Sequence, residues 1–171
     1  MSSSVKLRQL AETAFAIAGE SVPLGFDPAQ IASTISRLPS GISAELRALF
    51  TENWPSDFFL GSIEIIGPNR ITTEHEELYP GLAIIPHGFI CIGSDGAGTM
   101  YSHCQSDGRV YLLPNENFSD DGLHSNSWDK LEMTPDNIKS VAISSWDSLE
   151  ALFDWAIDEL EKLRQEQQND A

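Results

Sequence analysis

The sequence predicts an α+β domain, with helices packed on one face of an antiparallel sheet of about five or six strands and a long C-terminal helix among them. Two observations carry this prediction. Apolar residues follow helical spacing in residues 1–54 and again near the C-terminus. Between these regions, short β-branched or aromatic runs alternate with Gly, Pro, Asn and Asp, the pattern of strands joined by turns. The length of 171 residues and the 41% share of hydrophobic residues fit one folded domain.

Three helices are predicted in the N-terminal third of the chain. The first covers residues 4–18, where apolar residues recur at helical spacing. The second begins at Asp27, an N-cap that is followed by Pro28 at the first helical position, and it ends before Pro39. The third begins at Ser43 and carries its leucines and a phenylalanine on one face.

The clearest helix is predicted at the C-terminus. An apolar stripe runs from Trp146 to Leu163, and Ser144 and Ser145 are the candidate caps. The polar tail after Arg164 is predicted to fray.

The strands are predicted in the middle of the chain as an antiparallel meander. Seven runs have the composition of strands: residues 58–66, 70–78, 82–86, 88–94, 98–104, 109–114 and 138–144. The polar stretch 114–137 is predicted to be a long exposed loop with one short element around Trp128. We therefore divide the chain into an N-terminal helical extension (1–26), a single α+β domain (27–165) and a frayed tail (166–171).

A glycine-rich stretch, GSDGAG at residues 93–98, raises the question of a phosphate-binding loop. Such a loop needs a helix directly after the glycines, because backbone N–H groups at the helix N-terminus hold the phosphate. Here a strand-like run follows, and Asp95 would repel a phosphate. The stretch is therefore predicted to be a turn. The glycines assigned to this turn and to the next hairpin are Gly93, Gly96, Gly98 and Gly108.

The same region resembles the SUKH superfamily, and most closely its Smi/Knr cell-wall-regulator branch. The resemblance rests on IGSDGAGTMYSHC, then GRVYLL after a turn, then VAISSWDSLEALF leading into the last helix. Upstream, LPSGISAELRALFTEN occupies the place of the family's Leu-Pro helix segment. The similarity covers residues 36–160. The chain departs from the family's pattern at Ala97 and Thr99, where Gly and Asp are common, and at Asn53-Trp54, where Asn-Gly is usual.

The resemblance implies an α+β domain that works by binding proteins. Many bacterial relatives are immunity proteins that neutralise a toxin, often a nuclease, whereas the eukaryotic relatives resemble regulatory adaptors. The resemblance therefore implies a protein without catalytic residues. The family's turn commonly has a second acidic group at the position of Thr99, and its absence here puts in question any ligand role of that group.

The charge of the chain predicts the kind of partner. The whole formal net charge of −16 lies in residues 51–171, because acidic and basic groups balance in residues 1–50. Such a field disfavours nucleic acid and anionic membrane surfaces and favours a basic protein, such as a basic toxin. The other interpretation is that the acidic charge only keeps the protein soluble and binds no partner. The candidate partner-binding residues are Glu74, Glu76, Glu77, Asp95, Asp107, Asp120, Asp121 and Trp128.

Metal and cofactor sites are not predicted. The side chains of His87, Cys91, His103 and Cys104 lack the paired Cys-x2-4-Cys or His-x3-5-His spacing of structural zinc sites. Cys91 is expected to be a small buried hydrophobic residue. The alternative to protein binding is a small-ligand-binding protein or a hydrolase that uses carboxylates near the glycine-rich turn.

The expected location is the cytoplasm. Two cysteines do not make a disulfide framework, and the N-terminal residues do not have the pattern of a secretory signal. The oligomeric state is left open between a monomer and a weak dimer.

Overall fold

A computed structural model describes residues 2–20, 27–38, 42–52, 54 and 58–169. The helices are α1 (Ser3–Ala18), α2 (Pro28–Arg37), α3 (Ala44–Glu52), α4 (Pro68–Glu76), α5 (Gly81–Ile84), α6 (Pro135–Ser140) and α7 (Leu149–Asn169). The strands are β1 (Phe58–Leu60), β2 (Ile63–Ile65), β3 (Phe89–Ser94), β4 (Thr99–Cys104), β5 (Val110–Pro114), β6 (Phe118–Ser119), β7 (Gly122–His124), β8 (Lys130–Leu131) and β9 (Ser144–Trp146). The predicted boundary of the N-terminal extension falls at residues 21–26, which lie outside the described residues.

The α+β class is confirmed. The main sheet has six strands in the order β1-β2-β3-β4-β5-β9, and every neighbouring pair is antiparallel. A second sheet of three short strands, β6-β7-β8, stands beside it. The long C-terminal helix is α7, with 21 residues.

Helices α1 and α7 cover one face of the main sheet. Leu10 of α1 and Phe153 of α7 meet Ile63, Ile65 and Tyr101 of the sheet around a small apolar void. The N-terminal helix therefore belongs to the same hydrophobic core as the rest of the chain. Helix α4 lies against β3, where His75 Nε2 accepts a hydrogen bond from Cys91 N at 2.9 Å. Every residue of β3 and β4 is buried.

The strand predicted at residues 70–78 is wrong, because these residues form most of α4. Pro68 occupies the first turn of this helix, and the side chains buried on it include Ile71, Thr72 and His75, which recur at helical spacing. The β-branched run of isoleucine and threonines favoured a strand. Burial of one helical face against β3 outweighs that weak local propensity.

The strand predicted at 82–86 is also wrong, and the strand predicted at 138–144 is wrong except at Ser144. The first run forms α5 and a short 3-10 turn at Ile85–His87. In the second, the side chain of Thr134 accepts a hydrogen bond from Asn137 N at 3.2 Å and caps α6, so that only Ser144 begins a strand. An apolar run this short has no period that separates a strand from a helical turn.

The stretch 114–137 is more ordered than the predicted long loop. It holds a 3-10 turn and the three strands β6, β7 and β8. The buried Leu123 of β7 pairs with Phe118 of β6 and Leu131 of β8. The side-chain amide of Asn117, in the 3-10 turn before β6, donates to His124 O at 2.8 Å and holds this turn against the end of β7.

The start and end of α7 also differ from the prediction. Ser144, Ser145 and Trp146 belong to β9, and the cap is Ser148, whose Oγ accepts from Ala151 N at 3.1 Å. The helix continues past Arg164 to Asn169, because the tail contains good helix formers and no Gly or Pro.

Gly93 lies within β3 and not in the turn to which the sequence assigns it. A Cβ atom there would stand 2.2 Å from the backbone oxygen of Glu64 on β2. The Gly93→Ala variant is expected to lose about 1–3 kcal/mol of unfolding free energy in urea titration, because the two strands must move apart. Ala97→Ser, in the exposed turn, is the control and is expected to change this free energy by less than about 0.5 kcal/mol. Equal stability of both variants would contradict the close approach of β2 and β3.

Candidate functional site

Four of the candidate partner-binding residues, Glu76, Glu77, Asp120 and Asp121, lie on two segments that a hydrogen bond joins. The Tyr79 hydroxyl donates a hydrogen bond to Asp120 Oδ1 at 2.8 Å, which also raises the pKa of Tyr79. This contact joins the segment after α4 to the turn between β6 and β7, which carries Asp120 and Asp121. Glu76 is the last residue of α4, and Glu77 begins the segment that follows. The sequence places these two pairs more than 40 positions apart in the chain and predicts no contact between them.

Counterions neutralise only part of this acidic group. The Arg37 guanidinium pairs with Glu76, with its Nε 2.8 Å from Oε1. Within the described residues, Glu77 and Asp121 form no ion pair and are exposed. Three carboxylates, Glu77, Asp120 and Asp121, therefore have no ion-pair partner among the residues that the structure describes.

Two exposed leucines lie within the same segment. Leu78 is 45% exposed and Leu82 is 39% exposed. The N–H of Leu82 donates to Leu78 O at 2.8 Å, so the two residues are one helical turn apart. We call this surface the Leu78 face and define it as Glu77, Leu78, Leu82, Asp120 and Asp121.

The carboxylate of Asp95 is hydrogen-bonded within the glycine-rich turn. Its Oδ1 accepts hydrogen bonds from Ala97 N at 2.8 Å and Thr99 N at 3.1 Å. Gly96 and Gly98 have φ of 75° and 96°, in the left-handed region that glycine adopts readily. The prediction that this stretch is a turn between antiparallel strands is confirmed.

Asp107 lies at the other end of β4, roughly 17–20 Å along the strand from the glycine-rich turn. It accepts hydrogen bonds from Arg109 N at 3.0 Å and the Tyr111 hydroxyl at 2.9 Å, and it pairs with Lys139 at 2.9 Å. Partial burial alone would raise the pKa of Asp107, but these donors outweigh it and lower the pKa to about 2. Gly108, with φ of 72°, completes the hairpin as the sequence predicts.

This arrangement predicts a pH dependence for the Asp107→Asn variant. The carboxylate has a lower pKa in the folded chain than its usual 3.8. Its stabilising contribution is therefore complete above about pH 4 and is lost as the pH falls toward about 2. We expect the variant to be less stable than the wild type at about pH 7. The difference between their free energies of unfolding, measured by urea titration, is expected to decrease below about pH 4. A gap that stays constant across this range would contradict the account.

Glu74 does not lie on the surface to which the sequence assigns it. Its side chain is buried, where Arg70 Nη2 lies 3.9 Å from its Oε1. Burial raises the pKa of Glu74, and Glu64 raises it further, while Arg70 opposes both. Arg70 also pairs with Glu64, which accepts a hydrogen bond from Ser94 Oγ. Glu64 is not among the site residues predicted from the sequence, although a charged residue inside an apolar strand was the available signal.

The buried histidine of α4 has a structural role. His75 Nδ1 is 2.6 Å from Ile71 O and therefore donates, while Nε2 accepts from Cys91 N at 2.9 Å. Burial lowers the pKa of His75, which keeps this ring neutral. Cys91 is fully buried, as predicted, and burial raises the pKa of its thiol to about 12. In the described ranges, no three His, Cys, Asp or Glu side chains are grouped to hold a metal ion.

Trp128 is the aromatic residue among the candidate partner-binding residues, and 66% of its surface is exposed. It follows β7, in a turn where the Ser125 side chain accepts from Ser127 N and Asp129 N, each at 3.1 Å. Asp120 and Asp121 precede β7, so this short strand separates Trp128 from the Leu78 face.

Comparison of the chain with protein-family models, with curated proteins and with solved structures finds no match. The resemblance to the SUKH superfamily therefore stays a prediction. Across the described residues, no helix combines the length and the apolar character that crossing a membrane requires.

Proposed function

We propose that this protein is a non-enzymatic protein-binding domain whose acidic surface engages a basic protein. This class of protein includes immunity proteins that neutralise a basic toxin, such as a nuclease, and related regulatory adaptors. The observation that carries the proposal is the Leu78 face, where the Tyr79–Asp120 hydrogen bond joins a segment with two exposed leucines and Glu77 to the turn with Asp120 and Asp121, and where these three carboxylates have no counterion among the described residues. Opposite charges on two proteins speed their encounter and disfavour wrong partners.

The remaining acidic candidates support a structural reading. Asp95 accepts hydrogen bonds from the backbone of its own turn, and Asp107 contacts Lys139 and Tyr111. Glu74 is buried beside Arg70. A general acid or base has to reach a substrate within hydrogen-bond distance. These three carboxylates instead hold the fold, which favours binding over catalysis.

A hydrolase or a small-ligand-binding protein is the second candidate. The observation that favours it is the group formed by Glu64, Arg70 and Glu74. This group lies near the glycine-rich turn, because Ser94 at the start of that turn donates a hydrogen bond to Glu64. Two carboxylates with one raised pKa are a common arrangement for acid–base work. The test is a hydrolase screen in which any activity found must vanish in Glu74→Gln and persist in Glu166→Gln, a variant of an exposed residue on α7.

The experiment for the first candidate is capture of partners from a lysate of the source organism at about 0.15 M and about 1 M salt. A basic protein that is retained at low salt and lost at high salt is expected. Protection of cells that express the captured protein would identify it as a toxin, and absence of toxicity would indicate an adaptor. Retention of no protein at either salt concentration would contradict the proposal.

A further inference from the structure

We infer that the Leu78 face is the docking site for a basic protein segment that carries an apolar side chain between its cationic ones. This inference rests on the proposed function and adds the place of binding and the chemistry of the partner. The apolar anchor would lie against Leu78 and Leu82. Lysine or arginine side chains beside the anchor would reach Glu77, Asp120 and Asp121.

The apolar part of the argument is the pairing of the two leucines. Five large hydrophobic side chains are exposed within the described residues: Val5, Leu78, Leu82, Trp128 and Ile143. Of these, only Leu78 and Leu82 are joined by a backbone hydrogen bond across one turn. Neighbouring exposed apolar side chains beside polar groups are typical of protein interaction sites, whereas single ones are common on any surface.

The position of the leucines is fixed by the fold. Gly81, between them, packs so closely on α4 that a Cβ atom would stand 2.2 Å from Glu74 O. The next turn brings Ile84 N within 3.0 Å of Pro80 O, and Ile84 itself is fully buried. The segment that carries the two leucines is therefore anchored on its inner side, and a partner would meet a surface that is already formed.

The charges of the face determine which partner fits. Glu77 precedes Leu78 directly, and the Tyr79 hydrogen bond holds Asp120 and its neighbour Asp121 beside the same segment. Arg37 is engaged with Glu76, so it does not neutralise these three carboxylates. A second copy of this chain would bring the same carboxylates and be repelled. A basic segment supplies the complementary charge, and its apolar side chain covers the leucines.

The test uses two synthetic peptides and the isotope-labelled full chain. The first peptide has leucine at every third or fourth position and lysine elsewhere, and the second has serine in place of each leucine. We expect the leucine peptide to shift the backbone amide signals of the Leu78 face most strongly. We also expect it to bind at least about fivefold more tightly than the serine peptide, since burial of apolar surface adds to the charge attraction.

Variants locate the site. The double variant Leu78→Ser/Leu82→Ser is expected to bind the leucine peptide about fivefold to tenfold more weakly. The control Val5→Ser/Ile143→Ser removes two exposed branched apolar side chains elsewhere and is expected to bind as the wild type does. Circular dichroism checks that both variants are folded.

Three outcomes would overturn the inference: no measurable binding of the leucine peptide, amide shifts centred on another surface, or equal weakening in the two double variants. Failure here is distinct from failure of the proposed function. A basic partner that is captured from the lysate equally well by Leu78→Ser/Leu82→Ser would leave protein binding standing and show that the docking site is elsewhere.

Discussion

Replacement of Phe153 by alanine is expected to lower the free energy of unfolding by about 3–5 kcal/mol. Phe153 is fully buried on α7 and packs with Leu10 of α1 against Ile63 and Tyr101 of the sheet. Loss of the ring removes apolar contacts and leaves a void that the surrounding helices and strands fill only in part.

Urea unfolding followed by tryptophan fluorescence measures this loss. Phe153→Leu keeps most of the apolar volume and is expected to cost about 1–2 kcal/mol, while Glu166→Ala on the exposed end of α7 is expected to change stability by less than about 0.5 kcal/mol. A loss below about 1 kcal/mol in Phe153→Ala would mean that α7 does not cover the sheet.

The second large effect is expected at Arg70. This side chain lies between the carboxylates of Glu64 and Glu74 and is 43% exposed. Arg70→Met removes the cation and leaves two carboxylates of like charge in a partly buried place, which is expected to cost about 2–4 kcal/mol at about pH 7. The matched control is Arg37→Met, which breaks the exposed pair with Glu76 and is expected to cost less than about 1 kcal/mol.

The pH dependence of the Arg70→Met variant gives the second test. Burial already raises the pKa of Glu74, and removal of Arg70 raises it further. A carboxyl group whose pKa is higher in the folded than in the unfolded chain lowers the stability of the fold at pH values above its folded pKa. This loss of stability disappears as the pH falls toward the unfolded pKa of about 4.3. The stability gap to the wild type is therefore expected to shrink between about pH 7 and about pH 4.5. A gap that widens on acidification would contradict this assignment.

The sequence predicts well those elements whose signal is local and strong. The Asp27-Pro28 start of α2, the glycine-rich turn and the Asp107-Gly108 hairpin follow from backbone preferences of the residues themselves, and each is confirmed. The apolar stripe of α7 is confirmed for the same reason, since it is long enough to show a period.

The errors come from short runs in which tertiary packing decides. Residues 70–78 have a strand-like composition, but a helix there buries Ile71 and His75 against β3. Gly93 is of a residue type that is common in turns. It is needed inside β3, however, because the backbone of β2 passes too close to leave room for a side chain. Neither contact can be read from the neighbours of these residues in the chain.

The same limit applies to the candidate site. Composition identifies the acidic residues, but it does not separate Glu74, buried beside Arg70, from Glu77, which is exposed three positions later. Nor does it place Asp120 beside Tyr79, because that contact joins two distant parts of the chain. The exposed Leu78 and Leu82 appear in the sequence as ordinary apolar residues, and only the fold shows that they face outward.

The most direct test of the proposed binding surface compares two variants of equal net charge in capture of a basic partner at about 0.15 M salt. Glu77→Gln/Asp121→Asn changes the Leu78 face, whereas Asp158→Asn/Glu166→Gln changes exposed carboxylates on α7. We predict that the first variant retains several-fold less partner than the wild type and that the second retains as much as the wild type. Equal retention by the two variants, or no basic protein retained by the wild type, would contradict the account.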